Sequence, residues 1–271
     1  MRNAFSILFL SSLVLMACST KTVHRAAEPA PAPTPAPVAK APATETEEPK
    51  VEIKPVAEAA PLAKAEEPKG VDPDKALGWL KNGNTRYLKG SLRKDGQSHK
   101  DVLRLANGQT PHSIILSCSD SRVPPEIVFD QKLGELFVVR NAGETPNRAS
   151  IASIEYAVEH LGSRLLVIMG HTSCGAVKAA LATMDGGDAG SPALNAMVKD
   201  IQPRLANFKG RKPAVDVHDE SLANARGIAQ DLIGRSDIIR RRVESGDLKI
   251  QVALYDLKTG VVDFDAPQKE N

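Results

Sequence analysis

Length, composition and charge exclude two broad classes of protein. The chain has 271 residues, of which 42% are hydrophobic, so it can bury a sizeable core and is not wholly disordered. Lysine and arginine (35) nearly balance aspartate and glutamate (33), which leaves a formal net charge of +2. Because nucleic-acid grooves need a concentrated positive charge, we expect no nucleic-acid partner.

The start of the chain resembles a bacterial export signal. Arg2 precedes an apolar stretch over residues 4–17, which is shorter than the ~20 residues of a membrane-spanning helix. Leucine, methionine and Ala17 immediately precede Cys18, and this pattern is similar to the lipobox of bacterial lipoproteins, in which the cysteine is acylated. Ordinary cleavage after Ala17 is the alternative. We predict a signal peptide over residues 1–17 and lipidation of Cys18.

The resemblance to lipoproteins also implies a location. An acyl chain anchors a protein to a membrane without spanning it. Ser19, in place of an aspartate next to the lipidated cysteine, implies sorting to the outer membrane. We therefore expect a lipid-anchored protein of the bacterial cell envelope, on the outer membrane and facing the periplasm.

Alanine and proline dominate the segment that follows, over residues 18–70. It has almost no aromatic or large aliphatic side chains, so it cannot bury enough surface to fold. Polyproline geometry, at ~3.1 Å per residue, would let this segment span at most ~150 Å. We predict a disordered linker over residues 18–70 and a globular domain over residues 71–271.

Helices and strands alternate in the predicted globular domain. Asp72 followed by Pro73 is typical of an N-cap with proline at the first helical position, and predicts a helix to about residue 88. Short apolar runs predict strands at residues 112–118, 135–139, 164–170 and 250–255. Helical periodicity predicts helices at residues 151–161, 173–184, 195–208 and 221–243. This order predicts an α/β fold with a mostly parallel central sheet flanked by helices.

Two of the three cysteines lie at predicted strand ends. Cys118 closes the first strand, and His171 and Cys174 follow the third. The carboxyl ends of parallel strands meet at one edge of a sheet, where ligands bind. Two sulfurs and one nitrogen suit tetrahedral Zn²⁺, which with one open position lowers the pKa of bound water. Inert buried cysteines and a Cys118–Cys174 disulfide are the alternatives.

A carboxylate and a guanidinium follow Cys118 closely. Asp120 either fills the fourth zinc position or takes a proton from the bound water. Arg122 holds that carboxylate through paired hydrogen bonds. The sequence thus predicts a hydrolytic or hydrating site.

Several segments in order resemble the β-class carbonic anhydrases. They include Cys-Ser-Asp-Ser-Arg at 118–122, Phe-Val-Val-Arg-Asn-Ala-Gly at 137–143, Ser-Ile-Glu-Tyr-Ala-Val at 153–158 and Gly-His-Thr-Ser-Cys-Gly at 170–175. The resemblance extends over about residues 74–260. It implies Cys118, His171 and Cys174 as zinc ligands, with Asp120 and Arg122 as the catalytic dyad.

The same resemblance implies four further site residues. Gln109 would orient bicarbonate or bound hydroxide, Phe137 and Tyr156 would line an apolar CO2 pocket, and the Gly175 amide would contact an anion. Each has an ordinary alternative: a turn at Gln109, plain core at the two aromatic residues, and close packing at Gly175. Glu144 departs from the asparagine of many relatives, and an added carboxylate near the pocket would alter anion affinity.

The implied function is the reversible hydration of CO2 to bicarbonate and a proton, with Zn²⁺ as cofactor. The resemblance also implies a homodimer or higher homo-oligomer whose pockets are completed across the interface. In some members the aspartate at the position of Asp120 turns onto the zinc at low pH. An inactive zinc- or bicarbonate-binding envelope lipoprotein is the principal alternative. A tether that acts through its linker and the same fold acting on a CO2 analogue are two others.

Overall fold

A five-stranded sheet forms the centre of the protein. A computed structural model describes residues 70–264; the predicted signal peptide, Cys18 and the predicted linker to residue 69 lie outside the described residues, as do residues 265–271. The strands are β1 (Ser113–Ser117), β2 (Leu136–Arg140), β3 (Leu165–His171), β4 (Lys249–Tyr255) and β5 (Val262–Asp263). Their order is β2-β1-β3-β4-β5, with the first four parallel and β5 antiparallel. The predicted α/β fold with a mostly parallel sheet is confirmed.

Helices cover both faces of this sheet. They are α1 (Pro73–Leu88), α2 (His99–Leu105), α3 (Pro125–Val128), α4 (Arg148–Glu159), α5 (Gly175–Ala182), α6 (Pro192–Ile201), α7 (His218–Arg235) and α8 (Asp237–Glu244), with short 3-10 segments at Ala142–Glu144 and Gln202–Phe208. Alternate residues of β3 face opposite layers, as the period of a strand requires. Leu165 and Val167 pack with α1 and α3, and Leu166 and Ile168 pack with α4, α7 and α8.

Local capping explains where these helices begin. The Asp72 carboxylate accepts the N–H groups of Asp74 and Lys75 at 3.1 and 3.0 Å, which confirms the predicted start of α1. The single helix predicted over residues 221–243 is wrong, because Ser236 adopts an extended conformation between α7 and α8. Its hydroxyl accepts the Ile239 N–H at 3.1 Å and so caps a new helix.

The predicted helix over residues 195–208 also has two parts. It corresponds to α6 followed by the 3-10 segment Gln202–Phe208. Pro203, which lacks an N–H donor, stands at the start of that segment. Within residues 70–264, no helix has both the length and the apolar character needed to cross a membrane.

Candidate metal centre

Three ligand-type side chains converge at the carboxyl edge of the sheet. Cys118 directly follows β1, His171 is the last residue of β3, and Cys174 is the N-cap of α5. All three are buried, and their candidate ligand atoms lie within 4.8 Å of one another. Because β1 and β3 are parallel neighbours, residues separated by more than fifty positions in the chain meet at one place.

The histidine presents an unpaired nitrogen to this cluster. His171 is fully buried, and its Nδ1 donates to the Thr172 carbonyl at 2.9 Å. This bond fixes the tautomer, so Nε2 carries a lone pair. Nε2 has no hydrogen-bond partner in the described part of the chain. A buried nitrogen without a partner is costly, and a metal ion would satisfy it. The donor set therefore fits zinc.

The two thiol groups are within hydrogen-bond reach of each other. Both cysteines are free in this structure, which therefore does not contain the alternative disulfide. Donation from the Cys174 thiol lowers the pKa of Cys118 to about 4. The same bond, together with burial, raises the pKa of Cys174. The Gly143 N–H also donates to Cys118 Sγ, at 3.5 Å. A thiolate is the form that binds zinc, so this pair is prepared for a metal.

Asp120 and Arg122 form a bidentate ion pair beside the Cys118, His171 and Cys174 cluster. Arg122 donates from Nε to Oδ1 at 2.9 Å and from Nη2 to Oδ2 at 2.7 Å. These bonds hold the pKa of the Asp120 carboxyl well below its usual range. Asp120 Oδ2 is 3.9 Å from His171 Nε2. An ionised carboxylate thus borders the ligand cluster while it is bound to Arg122.

Arg140 was not predicted as a site residue. It ends β2, and it donates from Nε to the Cys118 carbonyl at 3.0 Å and from Nη2 to the Asp120 carbonyl at 2.7 Å. Its side chain therefore holds the loop that carries both residues. The sequence did contain a signal for this role. Arg140 is a charged residue at the end of the apolar strand β2, and β2 ends at the same edge of the sheet as β1, which precedes Cys118.

Glu144 is buried behind the ligands. Its side chain is 1% exposed, and burial raises its pKa well above the usual value. Gly170, next to His171, makes room for it: an added Cβ there would lie 3.4 Å from Glu144 Oε1 and 3.2 Å from the Ser221 carbonyl of α7. Glu144, which stands where many relatives have asparagine, is thus a buried carboxyl group packed between the sheet and α7.

The four remaining predicted site residues lie farther from the cluster or at its rim. Gln109 is exposed in the loop before β1, whereas Cys118 follows β1, so a strand of about 17 Å separates them. Phe137 is half-buried in β2 opposite Ile114, and Tyr156 is 50% exposed on α4. Gly175 is exposed at the start of α5, and a Cβ there would meet nothing within 4 Å. Close packing among residues 70–264 therefore does not require Gly175.

Known proteins share this sequence and fold. Residues 113–262 match a family model described as carbonic anhydrase. Carbonic anhydrase 2 of Mycobacterium tuberculosis is 39% identical over 182 residues, which cover 67% of this chain and 87% of that protein. The carbonic anhydrase of Mycolicibacterium smegmatis is 37% identical over 186 residues, with coverages of 68% and 89%.

A solved structure agrees with these relatives. The β-carbonic anhydrase CafA of Aspergillus fumigatus superposes with a TM-score of 0.54 at 26% identity, covering 70% of this chain and 88% of that one. The residues that match the family model, 113–262, include the ends of β1 and β3, where Cys118, His171 and Cys174 lie. The chain belongs to the β-class carbonic anhydrase family, and it is an enzyme that catalyses the reversible hydration of CO2.

Proposed function

We propose that this carbonic anhydrase works with a zinc ion held by Cys118, His171 and Cys174. The observation that carries the proposal is the buried His171 Nε2, which has no hydrogen-bond partner among the described residues, in a side chain with a ring nitrogen within 4.8 Å of two thiol sulfurs. A zinc ion at these ligands would lower the pKa of a water molecule enough to supply the nucleophile near neutral pH.

The residues around the cluster have separate roles in this proposal. Asp120 stays ionised because Arg122 lowers its pKa, so it can orient water and accept its proton. Arg140 holds the backbone of the same loop. The Gly175 N–H stands at the positive end of α5, where a backbone donor favours an anion such as bicarbonate.

Stopped-flow measurement of CO2 hydration tests the zinc proposal directly. We expect the full-length protein, zinc-loaded and in detergent, to hydrate CO2 at a rate that rises between about pH 6.5 and 9 as the activated water loses its proton. Chelation should abolish the rate, and zinc should restore it. Activity that survives complete removal of zinc would contradict the zinc proposal.

We further propose that each pocket is completed by a second copy of the chain. Gln109 lies at the opposite end of β1 from Cys118, so within one chain it is displaced from the cluster. In an isologous dimer the same loop of a partner can reach the site. Phe137, on the edge strand β2, and the half-exposed Tyr156 are the aromatic residues we assign to the shared CO2 pocket.

Mixing two inactive variants tests this shared pocket. We expect Gln109→Ala and Cys174→Ser each to be nearly inactive alone. Random mixed dimers should recover about a quarter of the wild-type activity, because half are hybrids with one intact site. Stopped-flow assay after co-expression gives the readout. A Cys174→Ser and His171→Ala mixture is the control, since each chain then lacks a ligand. The control should stay inactive, and absence of recovery in the first mixture would place Gln109 in its own chain's site.

A lipid anchor at Cys18 completes the proposal. It rests on the lipobox-like residues before Cys18 and on the alanine- and proline-rich segment after it. We propose that the enzyme acts in the bacterial cell envelope, held on the outer membrane and facing the periplasm.

Fractionation of cells checks the anchor. Cys18→Ala should move the protein from the membrane fraction to the soluble fraction or block its processing, because no thiol remains to be acylated. Labelling with a palmitate analogue should lose its signal in the same variant. Ser19→Ala, one position away, should keep both the label and the membrane fraction. A Cys18→Ala protein that still carries the label would end the proposal.

A further inference from the structure

Gly143 connects the candidate metal centre to a buried polar network. Its N–H donates to Cys118 Sγ at 3.5 Å, and its carbonyl accepts from Asn224 Nδ2 at 2.9 Å. The residue has a φ of +62°. An added Cβ would lie 2.8 Å from Ile201 Cδ1 and 2.9 Å from the Ala176 Cβ. Conformation and space therefore both require glycine at this position.

The Asn224 amide has three partners. This α7 side chain is fully buried, and Nδ2 also lies 3.4 Å from Glu144 Oε2. Its Oδ1 accepts from Arg204 Nη1 at 3.3 Å. Because the carbonyl of Gly143 only accepts and the guanidinium only donates, the amide has a single satisfied orientation. The network thus fixes the direction of the Gly143 backbone.

Arg204 supports the amide from the far side. Its side chain is 5% exposed, with Nε 2.7 Å from Asp231 Oδ2 and Nη2 2.9 Å from Asp200 Oδ2. The two carboxylates neutralise the buried guanidinium and hold its plane. The network therefore extends from two partly exposed aspartates to the peptide that donates to Cys118.

We propose that Asn224, held by Arg204, is a positioning residue that aims the Gly143 N–H at Cys118 Sγ. This inference rests on the proposed zinc centre. Hydrogen bonds to a ligating sulfur withdraw electron density from it, and outer partners of this kind tune a metal site. Asn224 and Arg204 do not touch the metal ligands and act only through the Gly143 peptide. By holding the Gly143 N–H on Cys118 Sγ, they would reduce the charge that this thiolate donates to the metal.

Cobalt spectroscopy and zinc affinity test the proposal. In full-length Asn224→Leu loaded with Co²⁺, the sulfur-to-cobalt charge-transfer band should move to longer wavelength, because a less strongly hydrogen-bonded thiolate gives up charge more readily. Zinc affinity, measured by competition with a chelator, should fall about 10-fold, because the backbone beside Cys118 is then held less firmly and its sulfur is less well oriented. The matched control is Asn195→Leu, which removes an amide that accepts from Ala189 N–H at 2.9 Å and donates to Asp188 at 2.7 Å.

A second variant, Arg204→Met, tests the same proposal if Asn224→Leu does not fold. Arg204→Met removes the support but leaves the amide, and the two aspartates it frees are 37% and 39% exposed and can be solvated. It should move the band in the same direction by a smaller amount. A folded, cobalt-bound variant of either kind with an unchanged band would overturn the positioning role. Wild-type protein without any thiolate band would instead overturn the zinc centre itself.

Discussion

Cys174→Ser is expected to remove the metal and nearly all activity. The substitution replaces a buried thiolate donor with a hydroxyl that zinc binds weakly at this kind of site. Zinc content should fall from about one ion per chain to near zero. CO2 hydration should fall by more than the roughly 10- to 100-fold loss that outer-sphere changes cause. Elemental analysis and stopped-flow kinetics on the same sample measure both quantities.

The loss of zinc should also appear as lost stability. A ligand that binds only the folded state contributes about 4 kcal/mol when its free concentration is 1,000 times Kd. Cys174→Ser should lose this zinc-dependent contribution to the free energy of unfolding. Ser117→Ala is the matched control: it removes a buried hydroxyl that has no hydrogen-bond partner among the described residues and precedes Cys118. Stoichiometric zinc in Cys174→Ser would show that this sulfur is not a ligand.

Asp120→Ala is expected to separate metal binding from turnover. Both oxygens of the carboxylate are engaged by Arg122, Oδ1 at 2.9 Å and Oδ2 at 2.7 Å, which favours this ion pair over a ligand role. The variant should therefore keep its zinc. Removing a positioned base costs about 100-fold or more in rate, so kcat should fall on that scale. Zinc analysis and kcat measured together give the result.

A matched ion pair provides the control for this variant. Asp237 and Arg240 are also 2.7 Å apart, on the surface of α8, and Asp237→Ala should leave kcat unchanged. Because Arg122 keeps the pKa of Asp120 low, we do not expect titration of Asp120 to cause the predicted rise of wild-type activity between about pH 6.5 and 9. Loss of zinc in Asp120→Ala would show that the carboxylate is a permanent fourth ligand.

The sequence predicted the four parallel strands, though not β5, and it predicted the convergence of Cys118, His171 and Cys174, because these features have strong local signals. The apolar runs at residues 112–118 and 164–170 match β1 and β3 to within a residue or two. Once those strands are parallel, Cys118 and His171 must meet at one edge. Helix α2 has no such signal: none of its residues is buried, and its start depends on the capping box of Ser98 and Asp101.

The network behind the site could not be predicted in this way. Glu144, Arg204 and Asn224 belong to residue types that usually lie on the surface, and Asn224 is 80 positions from Glu144 in the chain. The packing of α7 against β3 and against the 3-10 segments Ala142–Glu144 and Gln202–Phe208 brings them together. The break at Ser236 was missed for a related reason, because a serine in a helical pattern is compatible with either a cap or an exposed helical position.

Because Gly170 has no side chain, metal binding at His171 and the stability of α7 depend on each other. This residue precedes His171, and the Ser221 carbonyl of α7 packs over it. A metal ion that fixes His171 would therefore also fix the surface on which α7 rests, and a loosened α7 would release the metal more easily. By thermodynamic linkage, tighter binding of the proposed zinc ion would add to the free energy of unfolding, and a less stable α7 would weaken zinc binding.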